Sequence, residues 1–318
     1  MEITVAKCTF KHAADMTLGK VDSHKLDSLA NTCVARAIAA LKRPTPGYGE
    51  RDRMHISRIF SDLRMTHKTI RCVLEGVDPP ESVDSLVLAR VQLEALYVLC
   101  LMFEDASYVT RYLQDGWRKK YVQHLYQKAE CAGLPRFGEF LRNAEPWMLG
   151  LRNDCGITEQ QQRTVDLEQL GIPLPAGMSR VPIERFPTPR GVISKIPPGP
   201  KQKMLMRLYP EYEHLSSFTH GLAEASFLRG MFDKRSGWPD LFTSGQKEET
   251  FNKLVSSPAI SFSFLCIIQA CAELTTLYPD DVELRAGVTE AWDYPASGYL
   301  AGMAVWGLRT KSLPGAIG

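Results

Sequence analysis

Residues 78–113 read DPPESVDSLVLARVQLEALYVLCLMFEDASYVTRYL. Within them Leu86, Val87, Val91, Leu93, Leu96, Val98, Leu99, Leu101, Met102 and Phe103 cover nearly every direction around a helix, and a helix apolar on all sides is a buried one. Asp78 followed by Pro79, Pro80 and Glu81 supplies an N-cap, a proline at the first helical position and a capping-box acid. The run Ala95 to Phe103 is shorter than the roughly 20 residues a bilayer requires, so the stretch is expected to form the core of a soluble fold. Arg90 and Glu94 lie inside it. An ionised pair among apolar side chains must be hydrogen-bonded, because an unmatched buried charge is strongly destabilising. The rest of the chain has to supply partners for that pair.

Toward the N-terminus, Leu26, Leu29, Ala30, Cys33, Val34, Ala37, Ile38 and Leu41 recur at three- and four-residue intervals, an amphipathic helix ending near Pro44. A second helix over Arg51 to Glu75 carries Ile56, Ile59, Phe60, Leu63, His67, Ile70 and Leu74 on one stripe and stops at Gly76. Its other face holds Arg51, Arg53, Arg58, Arg64, Lys68 and Arg71, which suits solvent or a phosphate ligand. Toward the C-terminus, Trp117 to Cys131, Arg136 to Leu149 and Thr158 to Leu170 read as helices, the last capped by Thr158 and closed by Gly171. Residues 172–200 hold too many prolines for a helix and read as a loop or strap. Helix resumes at Lys201, with a break suggested at Pro210. Ile260 to Leu277 is apolar apart from Gln269 and Glu273 and forms a second buried helix. Residues 280–292 and 295–308 follow.

With no repeat and no alternation of strand and helix, the class is all-α: about nine or ten helices around two buried apolar ones, with a proline-rich strap. Residues 1–50 form an N-terminal helix and linker, and 51–318 one helical domain interrupted at 172–200. The 318 residues carry 38 basic and 36 acidic side chains, net charge +2, so no global pull toward nucleic acid or anionic membrane is implied. The eight cysteines show no regular spacing, and Cys33, Cys72, Cys100, Cys266 and Cys271 fall on apolar helical stretches as buried thiols do, consistent with a reducing, cytoplasmic setting. No leader and no membrane span are read.

Downstream, Tyr212, Ser216 and His220 stand at four-residue steps and form one polar line beside the apolar face of Leu215, Phe218 and Leu222. This line is the expected partner of Arg90 and Glu94, as a buried polar network. The combination Arg-x-x-x-Glu with a distant Tyr-x-x-x-Ser-x-x-x-His resembles a bacterial family of helical proteins classed as a domain of unknown function. The resemblance covers roughly Met54 to Phe232 and implies a helical bacterial protein, without an activity.

Arg207 and His214 resemble the Arg and His of HEPN-superfamily ribonucleases, helical bundles of toxins and phage-defence proteins. That family carries Arg followed by four to six residues and His, a pattern that Arg118 and His124 also fit. The resemblance implies a metal-independent endoribonuclease acting as a homodimer, in which His214 takes a proton from a ribose 2′-hydroxyl while Arg207 stabilises the phosphate. Glu211-x-x-His214 is a single Glu-x-x-His, where a di-iron bundle uses two, so no metal and no cofactor is expected. The second functional reading is a non-catalytic binding or regulatory module whose arm, residues 172–200, contacts a protein partner.

Overall fold

The computed structural model describes residues 22–76, 82–219 and 250–293, together with residues 226, 228, 229 and 232. Among these the chain forms ten α-helices and no strand: α1 Ser23–Leu41, α2 Glu50–Gly76, α3 Ser85–Met102, α4 Ser107–Glu130, α5 Pro135–Asp154, α6 Glu159–Leu170, α7 Pro189–Lys195, α8 Pro200–Thr219, α9 Ser257–Leu274 and α10 Val282–Asp293. A π-helical turn, Asn252–Ser256, leads into α9. The all-α class is therefore as the sequence implied. The division of the chain is not: among the described residues, those up to Glu104 together with those from Pro189 onward form one compact unit and residues 105–188 another. The N-terminal helix, set apart in the sequence reading, packs on α2, α9 and α10 inside the first unit.

The first unit is organised on α9 and α3. Sixteen of the eighteen residues of α9, Ala259 through Leu274, are buried, against α1, α2, α3 and α10. Several polar atoms that this burial takes from water have partners inside the fold. The buried Gln92 amide donates to Leu63 O at 2.6 Å, Tyr97 OH donates to Leu205 O at 2.8 Å, and Cys33 Sγ donates to Gly287 O at 3.2 Å. Gly287 is needed where α10 crosses α1, since a Cβ there would sit 2.7 Å from the Arg36 guanidinium. Both α3 and the run 254–274 are long and apolar enough to cross a bilayer by length and composition, and most of each is buried inside this unit.

Three expectations for this unit are corrected. The stretch 78–113 is not one helix: α3 ends at Met102, and Asp105 starts α4 by accepting hydrogen bonds from Ser107 N and Ser107 Oγ, both at 2.8 Å. Asp78 to Glu81, read as the helix start, lie outside the described residues, and α3 opens at Ser85. Nor is α3 buried all round, because Val91 is 43% exposed. Finally, Cys72 is exposed rather than buried, on the outward line of α2 with Met65 and Lys68.

The second unit has a small core of Trp117, Met148, Cys155, Ile157, Val165 and Ile183. Hydrogen bonds do more of the holding here. Trp117 Nε1 donates to Met148 O at 3.0 Å, and Tyr121, stacked on Trp117 at 4.5 Å, donates its OH to Asp166 at 2.7 Å. Helix α6 carries the capping box of Thr158 and Gln161 and ends at Gly171, whose φ of 64° is the left-handed cap conformation. Residues 172–188 are irregular, as their prolines dictate, yet they are strapped down. Ile183 enters the core, Phe186 stands edge-on to Tyr108 and Tyr112, and Glu184 pairs with Arg111 at 2.7 Å. The irregular stretch was read to extend to 200, but Pro189–Lys195 folds as α7. Pro189 has a helical φ and needs no N–H in the first turn, while Pro197 and Pro198 stop the helix behind Ile196.

Candidate functional site

Helix α8 lies along α3, and the four-residue register of its polar line meets Arg90 and Glu94. Arg90 Nε donates to Ser216 Oγ at 2.9 Å, and its Nη2 donates to Glu94 Oε1 and to Tyr212 OH, each at 2.9 Å. Tyr212 in turn donates to Glu94 at 3.0 Å, Ser216 donates back to Tyr212 O at 2.6 Å, and the guanidinium lies over the Tyr212 ring at 5.1 Å. Every member has a partner, which is how a guanidinium can sit at a packed helix interface. The pair is half-buried rather than buried, with side-chain exposures of 16% for Arg90 and 37% for Glu94. His220, the expected fifth member, lies outside the described residues.

The same helix carries the proposed catalytic pair on its outer side. The break suggested at Pro210 is absent: α8 runs unbroken from Pro200 to Thr219 with Pro210 inside it. Seven residues are close to two turns, so Arg207 and His214 stand on one line about 10 Å apart along the axis, and both are exposed. The His214 ring meets Phe218 edge-on at 5.3 Å. The second Arg and His that fit the family's spacing are otherwise employed. Arg118 bonds the buried Asp115 at 3.1 Å, and His124 is itself buried, 7% exposed.

On α2 the basic face divides. Arg53 donates to Leu41 O and Tyr48 O, and Arg71 pairs with Glu75 at 3.3 Å, so these two hold the fold. Arg51, Arg58, Arg64 and Lys68 are exposed. No group of three or more His, Cys, Asp or Glu is clustered as metal ligands would be among the described residues.

Sequence reasoning missed the polar cluster at Lys201. Its ammonium reaches Glu273 at 3.2 Å and also bonds Glu104, while Gln269 donates to Glu273. Burial pulls the Lys201 pKa down, but the two carboxylates more than offset it and leave it raised. The signal was present: Glu273 is the one acid in the apolar run 260–277, and such a residue requires a cation. Cys100 and Cys266 nearby have thiols pushed up by burial and are held protonated. Comparison of the chain with protein-family models, curated proteins and solved structures finds no match.

Proposed function

We propose that this chain is a cytoplasmic, metal-independent endoribonuclease of the HEPN-like kind, working as a homodimer in a toxin or defence role, with Arg207 and His214 as its catalytic residues. The observation that carries this reading is the continuity of α8 through Pro210, which keeps the two side chains on one exposed line. His214 takes the proton of a ribose 2′-hydroxyl, the oxygen attacks the adjacent phosphorus, and the bond to the 5′-oxygen breaks, that oxygen taking a proton from water to leave as a 5′-hydroxyl beside a 2′,3′-cyclic phosphate. Arg207 holds the phosphate oxygens and stabilises the charge that develops on them. The Arg90, Glu94, Tyr212 and Ser216 bonds keep α8 from rolling on α3, so the outer line holds its direction.

The test is cleavage of a mixed RNA pool by the full chain in EDTA. Cleavage with cyclic-phosphate ends that is abolished by Arg207→Ala and by His214→Ala supports the reading. An intact pool, or cleavage that survives both substitutions, refutes the assignment. A non-catalytic module contacting a protein partner through 172–200 is the second reading. It is favoured by Leu170 and Ile172, 68% and 49% exposed where the strap begins. Loss of that partner on Ile172→Asp, with no cleavage by the unaltered chain, selects it.

A further inference from the structure

The outer side of α5 presents more aromatic surface than the fold of its unit uses. Phe137, Phe140 and Trp147 are 55%, 67% and 56% exposed, while the helix buries Leu141 and Met148 and packs Leu151 against the core. Four- and three-residue steps place Arg136, Phe140, Asn143 and Trp147 on one line, a cation, a ring, an amide and a ring, with Phe137 beside Phe140. Lys120 of α4 extends over the Trp147 ring, Nζ to centroid 5.5 Å. Of the carboxylates of α5, Glu139 flanks the line, three residues after Arg136 and four before Asn143, while Glu145 is on the opposite side and bonded to Lys128 at 2.5 Å, and Asp154 is the last residue of the helix. Arg136 is exposed and has no ion pair among the described residues.

We propose that this line binds single-stranded RNA, with unpaired bases stacked on Phe137, Phe140 and Trp147 and phosphates held by Arg136 and Lys120. The inference rests on the reading of RNA as the substrate and adds which form of RNA is taken and where. Exposed rings interleaved with cations and amides match a flexible chain of flat bases on a polyanion, because every base has a face that stacks and every linkage a charge to neutralise. A second copy of the chain fits less well. Across a two-fold axis the same patch meets itself, which would set Arg136 and Lys120 near their own counterparts, with Glu139 the one flanking carboxylate on α5 to offset them.

The experiment is fluorescence anisotropy of a short labelled oligouridylate titrated with the full chain in EDTA. Vesicle pelleting and sedimentation are run in parallel. The expected result is that Phe140→Ala and Trp147→Ala each weaken binding about tenfold with the far-UV circular dichroism unchanged. Lys120→Gln should flatten the plot of log affinity against log salt by about 0.7. No binding by the unaltered chain overturns the proposal, as does affinity unchanged in the double variant Phe140→Ala/Trp147→Ala. So does a double variant that loses only self-association or only vesicle pelleting. Cleavage, scored separately with Arg207→Ala, keeps the two claims distinct. RNA held by this line but never cut leaves the inference standing and removes the nuclease, whereas RNA cut at full rate by the double variant does the reverse.

Discussion

Helices α9 and α5 are of similar length and stand at opposite extremes. One buries sixteen of eighteen residues and the other only Leu141 and Met148 of twenty, with Phe and Trp facing outward. The first unit is held by apolar contact from several directions, with side-chain hydrogen bonds such as those of Gln92 and Tyr97 inside it. The second is held by a few anchors: the Trp117 and Tyr121 stack, the Asp115 ion cluster and the capped α6. Burial on that scale commits a side chain to stability, and side chains left out of it are available for binding. Substitutions should therefore cost much stability in one helix and almost none in the other.

The largest effect is expected at Phe264 in α9, fully buried. Phe264→Ala removes a ring and leaves a cavity, costing about 3–5 kcal/mol, read as a fall in the urea midpoint at unchanged slope. A loss under 1 kcal/mol there would break the contrast.

Next is a pH dependence centred on His67, buried on α2 with Nδ1 2.8 Å from Ser263 Oγ and no partner at Nε2. Burial, with Arg71 adding to it and Asp27 opposing, lowers its pKa from 6.5 to about 4. On acidification the unfolded chain takes the proton first. Stability is thus fully present above the unfolded pKa, falls as pH drops from 6.5 toward 4, and levels below, a total of about 3 kcal/mol. In His67→Gln this component should vanish from the pH profile of the urea midpoint, and an identical profile would count against it.

In the second unit Asp115, 2% exposed between Arg118 and Lys119, is the polar counterpart of a core residue. Asp115→Asn should cost about 2 kcal/mol, since the two cations remain partly solvated and the loss falls below that of a fully buried pair. Tyr212→Phe, which deletes the hydroxyl shared by Arg90 and Glu94, should cost about 1 kcal/mol by the same measurement. Phe140→Ala on α5 should change stability by no more than about 0.5 kcal/mol. A larger loss would mean that the ring belongs to the fold and not to a ligand.

Sequence pattern alone determined the helical class, the burial of the run read as 260–277 as far as Leu274, where α9 ends, the caps of α6 and the pairing of Arg90 and Glu94 with Tyr212 and Ser216. These follow from periodicity and from the need to match a charge among apolar side chains, both local or nearly local properties. The tertiary structure decided what pattern could not. Apolar periodicity across 78–113 does not say that Asp105 turns its carboxylate back to Ser107 and starts a new helix. Composition does not say that Pro210 is tolerated, because the cost of one missing N–H is set by the packing around α8. Nor does spacing distinguish Leu141 and Met148, which go inward, from Phe140 and Trp147 beside them. That choice depends on where α4 lies, and on long-range packing rather than on the hydrophobicity of the residue itself.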